Sequence, residues 1–176
     1  MTSQNLSPSP SATTDLEEVR RQVQLETLTL PDRLRRLRAS LVIATPPERI
    51  WQVLTDYDRL ADFIPNLSIS RLLPHPQGGI RLEQVGSQCF LSLKFCARVV
   101  LDMEEQPLER IGFRMVEGDF RRFEGEWRLL SHPTGTQLDY CLVIGPKLTM
   151  PIGLIEKHLA DNLSTNLAAI ACQSRG

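Results

Sequence analysis

The stretch from Pro151 to Cys172 constrains the fold more than any other. Ile152, Ile155, Leu159, Leu163, Leu167 and Ile170 recur at spacings of three and four. At about 100° per residue they form one stripe along a helix. Lys157, Asp161, Ser164 and Thr165 fall on the opposite side. Pro151 suits the helix start, because its φ is fixed near helical values and its missing N–H would be unpaired there anyway. Each stripe residue, fully buried, contributes roughly 1.5–3 kcal/mol, so the helix needs a large apolar partner. Two polar residues interrupt the stripe. Glu156 lies near the helix N-terminus, where a carboxylate is favourable. Asn166 lies deeper, where burying an unpartnered amide costs roughly 1–3 kcal/mol. A sheet hydroxyl or carbonyl, or a ligand, is expected to satisfy it.

The rest of the chain supplies that partner as alternating strands. Two period-2 runs, from Val23 to Leu30 and from Arg36 to Ile43, flank Pro31-Asp32 and predict a hairpin. Leu67 and Ile69 begin a strand ended by Pro74, Pro76 and Gly78-Gly79, and residues 80–88 resume it. From 89 to 103 every odd position is apolar, which predicts one long strand with a wet and a dry face. Ile111, Phe113 and Met115 alternate next, then Phe123, Gly125, Trp127 and Leu129, then Leu138, Tyr140, Leu142 and Ile144. Short turns join these runs, so an antiparallel meander is expected, its dry face covered by the helix. That face mixes the large Phe95, Phe113, Trp127 and Tyr140 with gaps at Ala97 and Gly125. A curved sheet lined in this way favours an internal cavity over a solid core, the alternative being that the side chains fill it.

Composition narrows the functional classes. The 176 residues carry a net charge of −1, so no global basic field exists to attract nucleic acid or anionic lipid. Arg33, Arg35, Arg36 and Arg38 form one dense run, read as a solvated strand face. Cys89, Cys96, Cys141 and Cys172 show no CxxC spacing, and His75, His132 and His158 are scattered. No metal site or cofactor is expected, and the thiols read as reduced, in an intracellular, cytoplasmic protein. No apolar run approaches the ~20 residues needed to cross a bilayer, which leaves at most transient membrane contact. Residues 1–14 hold no charge and few apolar groups, which predicts a dispensable, disordered tail before one domain over 15–176.

Between the hairpin and the meander lies A-T-P-P-E-R-I-W-Q-V-L-T-D-Y-D-R-L-A-D-F-I-P-N-L, Ala44 to Leu67. Thr45 is expected to cap a short helix carrying Ile50, Trp51, Val53 and Leu54. Asp56 is expected to cap a second, carrying Tyr57, Leu60 and Phe63 and stopping at Ile64-Pro65. This order and spacing resembles the START-like, or polyketide cyclase/dehydrase, superfamily, closest to the branch of the coenzyme Q-binding proteins and the ribosome-association toxin. The likeness continues through Gly118-Asp119-Phe120, Phe123-Glu124-Gly125, Trp127, Glu156 and Asn166-Leu167.

The resemblance implies an α+β helix-grip fold. About seven strands of a curved antiparallel sheet would wrap a long C-terminal helix, with two short helices after the first long strand. It also implies a cavity between sheet and helix. Ligand contacts would come from Phe95, Phe113, Trp127, Tyr140, Leu159 and Leu163, with Asn166 or Glu156 fixing a polar end. Phe63, Pro65 and Phe120 would form the rim. The function expected first is non-catalytic binding or carriage of an apolar small molecule: a quinone, lipid, pigment or isoprenoid. A cyclase or dehydratase acting on an aromatic or polyketide substrate, and a ribosome- or protein-interaction module, stand as alternatives. No catalytic residue stands out, since no phosphate loop, nucleophile elbow or metal cluster occurs.

Overall fold

The computed structural model describes the backbone of residues 10–90 and 93–176, and within it the side chains other than those of 10–13, 88–95 and 154. Eight strands form one antiparallel sheet: β1 (Gln24–Thr29), β2 (Arg35–Ile43), β3 (Leu67–Leu73), β4 (Ile80–Phe90), β5 (Leu93–Gln106), β6 (Arg110–Gly118), β7 (Arg122–His132) and β8 (Gly135–Gly145). Their spatial order is β1-β2-β8-β7-β6-β5-β4-β3. The strands from β3 to β8 run as a meander, and β2 joins β8 to close the far side. The count exceeds the expected seven because β1, exposed along most of its length, adds to the same sheet as an edge. Asp32 and Arg33 turn the β1–β2 hairpin with left-handed φ values of 58° and 59°.

Four helices complete the fold: α1 (Pro10–Arg21), α2 (Pro47–Thr55), α3 (Leu60–Phe63) and α4 (Ile152–Arg175). At 24 residues, α4 is about 36 Å long and crosses the sheet's concave face. This is the helix-grip arrangement. The core gathers Leu37, Leu41 and Ile43 of β2, Leu138 and Ile144 of β8, Ile50 of α2 and Leu167, Ile170 and Ala171 of α4 into one buried cluster.

Several local expectations need correction. The helix α1 begins at Pro10, inside the stretch expected as a tail, while residues 1–9 lie outside the described residues. Val19 is buried, Leu16 packs beside it, and α1 lies against α4, so tertiary packing orders a segment of weak local signal. The alternation over 89–103 is not one strand. β4 runs to Phe90 and β5 returns from Leu93, paired Phe90↔Leu93, with residues 91–92 outside the described residues. Alternation fixes a face only within one strand: with Phe90 opposite Leu93, the even positions of β4 share the face of the odd positions of β5, so the parity reverses between them.

The caps also differ. Thr45 makes no side-chain cap bond; Pro46 is the N-cap of α2, and Pro47 pre-sets its first turn. Asp56 precedes a 3₁₀ turn over Tyr57–Arg59 without a side-chain cap bond. Instead Asp58 fixes this region, its Oδ1 accepting the Leu72 N–H at 2.7 Å. Pro151 is the N-cap residue of α4.

Candidate functional site

A cavity of about 510 Å³ lies between the concave face of the sheet and α4, lined along the helix from Ile155 to Ile170. Three walls build it. Ala97, Val99, Leu101 and Met103 line it from β5, at the odd positions of that strand. Phe120, Phe123, Phe113, Tyr140 and Trp127 form an aromatic wall. Their rings follow one another with centroids 5.5 Å apart for Phe120–Phe123, 5.9 Å for Phe113–Phe123, 5.8 Å for Phe113–Tyr140 and 4.3 Å for Trp127–Tyr140. Such near contacts fix the rings relative to one another and give a rigid apolar surface. From α4, Ile155, Leu159, Leu163 and Ile170 close the space.

Gly125 does not open the cavity as expected. A Cβ there would run into the Cys141 carbonyl oxygen and lie 2.8 Å from Phe113 Cζ. Its missing side chain is the room the Phe113 ring occupies, so this glycine serves close packing. Ala97 keeps the expected position in the lining.

Three polar groups of the lining sit on α4. His158, Asn162 and Asn166 are four residues apart, so they form a row beside the apolar stripe and face the same cavity. Asn162 Oδ1 accepts a hydrogen bond of 2.9 Å from Asn66 Nδ2, tying the start of β3 to the helix. Asn166 differs: its Oδ1 is buried and accepts no hydrogen bond among the described residues. The expected sheet partner for it is absent there. Tyr57, also in the lining, donates to Glu105 Oε1 at 2.6 Å, and burial together with that carboxylate pushes its phenol well up. Burial likewise raises the Tyr140 phenol. Both therefore stay protonated, as donors rather than bases.

Glu156 does not reach the lining. Arg35 Nε donates to its Oε2 at 2.8 Å, across the first turns of α4. Arg35 shares the inward parity of Leu37 and Ala39 on β2, so it reaches under the helix where the sheet ends. The polar break in the stripe is thus a pair between helix and sheet. The arginine run divides accordingly: Arg33 and Arg35 hold the α4 entrance, while Arg38 faces out beside Glu26.

Of the residues expected in the site, Phe113, Trp127, Tyr140, Leu159, Leu163 and Asn166 come together in the lining. Phe120, expected on the rim, is a buried wall residue. Phe63 packs half-buried against the core, and Pro65 is exposed; neither lines the cavity. The Phe95 side chain lies outside the described residues. His158, Asn162, Asn66, Gln84 and Tyr57 join the lining beyond the expected set. The four-residue recurrence 158–162–166 was the available signal for the helix positions; Asn66, Gln84 and Tyr57 needed the tertiary fold.

Comparison with known proteins agrees with this geometry. Residues 43–170 match the family described as polyketide cyclase / dehydrase and lipid transport. A crystal structure of a Thermus thermophilus protein superposes with a TM-score of 0.68 at 23% identity, covering 79% of this chain and 96% of that one. An aromatase/cyclase from Streptomyces sp. R1128 gives 0.70 at 18% identity, over 81% and 94% of the two chains. A STAR-related lipid transfer protein fragment from Xanthomonas axonopodis gives 0.69 at 16% identity, over 88% and 94%. At these identities the likeness is one of fold. No protein of curated function matches the sequence significantly.

Proposed function

Since the chain belongs to the polyketide cyclase / dehydrase and lipid transport family, we propose that it binds and carries an apolar small molecule in the cavity under α4. One observation carries this reading: a mostly apolar cavity of about 510 Å³ with the unpaired, buried Asn166 Oδ1 in its lining. Cavities of this size hold drug-sized ligands, with apolar walls giving affinity and a few polar groups giving orientation. An unpaired acceptor is completed by a donor. The ligand that fits best therefore bears a hydroxyl or N–H: an isoprenoid alcohol, a phenol, a quinol or a hydroxylated lipid. A quinone, which only accepts, leaves the Asn166 oxygen unpaired.

The test is a titration of matched pairs, an isoprenoid alcohol against its hydrocarbon and a short-chain quinol against its quinone. The hydroxylated member is expected to bind about tenfold tighter, and Asn166→Leu to erase that preference while keeping apolar binding. Equal binding of both members by the parent protein would overturn the assignment of the polar end.

His158 favours a second reading, cyclisation or dehydration of an aromatic or polyketide substrate, because its imidazole stands beside two amides in the lining. Against it, the described lining holds no carboxylate, and its two phenols are held protonated. Conversion of an aromatic polyketide by the parent and its loss in His158→Ala would favour this reading over carriage.

A further inference from the structure

At one end of the sheet the β1–β2 turn, the β6–β7 turn, the end of β8 and the start of α4 come together. The register places them there: Arg35 lies opposite Ile144, and Arg122 opposite Gly145. Most cations elsewhere on the surface are consumed by carboxylates, as in the Arg81–Asp102, Arg98–Glu83 and Arg110–Glu126 pairs. Among the described residues, the cations without an ion pair concentrate at this end: Arg33, Arg36, Arg121, Lys147 and Lys157. Arg21, Arg49 and Arg175 are the others. The carboxylates at this end are largely committed. Glu124 pairs with Arg122, Glu156 pairs with Arg35, and Asp119 Oδ2 accepts the Arg98 N–H; Asp32 remains exposed. A chain with net charge −1 thus carries a local positive face.

The same end carries the most exposed large apolar side chain of the described residues. Leu148 is 78% exposed, against 49% for the next, Val116. Its loop is held rather than loose. Arg33 donates to Leu148 O at 3.4 Å and to Met150 O at 3.1 Å, and the Met150 N–H donates to Lys147 O at 3.0 Å. The turn therefore presents Leu148 outward, with Lys147 beside it. Three residues later Pro151 is already in the cavity lining, followed by Ile155, and Phe120 reaches the lining from the β6–β7 turn.

We propose that this end docks on the surface of an anionic lipid bilayer, with Leu148 entering the interfacial region and Lys147, Lys157 and the neighbouring arginines facing lipid phosphates. An apolar tip ringed by cations is complementary to such a surface, where each basic residue adds attraction that salt screens. No described helix is long and apolar enough to cross a membrane, so the contact is peripheral. Docking here sets the Pro151 side of the cavity against the bilayer.

The experiment is co-sedimentation of the full chain with phosphatidylcholine vesicles, with and without phosphatidylserine, at low and high salt. No cavity ligand is added, so the outcome does not depend on the carrier reading. Binding is expected only with phosphatidylserine, and weakened by salt. Lys147→Glu and Leu148→Ser are each expected to lower it by about tenfold, with an unchanged melting temperature because both side chains are exposed. Equal sedimentation with the two vesicle types, or variants that bind like the parent, would overturn the proposal. So would loss in Lys147→Glu with none in Leu148→Ser, which marks a general polyanion site instead.

Discussion

The two halves of α4 face the same sheet and pack against it in opposite ways. Toward the C-terminus, Leu167, Ala168 and Ala171 are fully buried and lie outside the cavity lining. With them in the core, and outside the cavity lining, stand Leu41, Ile43 and Ile50, and the small alanines let α1 lie close on the other side. Toward the N-terminus, Leu159, Ala160 and Asn162 are only half-buried, and the facing residues form the cavity. One periodic pattern runs through both halves. What differs is the opposing surface: closely packed aliphatic groups at one end, a bowl of aromatic rings at the other. Amphipathicity thus places the helix, and the shape of its partner decides whether a stripe becomes core or wall.

Truncation at each half should separate them. Leu167→Ala is expected to cost roughly 2–5 kcal/mol, since it leaves a void in a filled region. Chemical denaturation checks it, and a midpoint within error of the parent would dissolve the distinction. Arg35→Ala removes the half-buried tie between sheet and the first turns of α4, and about 1–2 kcal/mol is expected. The swap of Arg35→Glu with Glu156→Arg should restore part of that loss. Leu159→Ala is expected to cost less, about 1 kcal/mol, because the side chain is only half-buried and so loses less transfer free energy.

A smaller effect lies outside both halves, on the convex face. Arg98, donating at 2.6 Å, and Arg71 hold the Glu83 carboxyl below its usual range. A lowered carboxylate stabilises the fold above its unfolded value of about 4.3 and loses that contribution as pH falls through its folded value. Melting temperature should therefore drop as pH goes below about 4, and Glu83→Gln should flatten that acid limb.

Much of this architecture was legible because strand and helix periods are local. The alternation at Ile111–Met115, Phe123–Leu129 and Leu138–Ile144 puts Phe113, Trp127 and Tyr140 on one face, as β6, β7 and β8 have them. The illegible parts depend on partners distant in sequence. Glu156 reads as a candidate ligand contact on the helix alone, yet Arg35, the first residue of β2 and 121 residues away in sequence, meets it. Gly125 reads as a gap, whereas the Phe113 ring of the neighbouring strand fills it. The start of α1 leaves little trace because Leu16 and Val19 gain their meaning only against α4.

The claim that the N-terminal half of α4 roofs a ligand site is tested most directly from the sheet side. Ala97 lies in the lining, half-buried on β5, so Ala97→Trp places an indole in the cavity without touching the helix. Gly125 is unsuited to this purpose, since any side chain there meets the Cys141 carbonyl. The measurement is a titration of parent and Ala97→Trp protein with a fluorescent fatty acid and a short-chain quinol, after circular dichroism has matched their folds. The account predicts saturable binding by the parent and a loss of at least about tenfold in the folded variant. Undiminished binding by folded Ala97→Trp protein would contradict it and place the ligand outside the cavity.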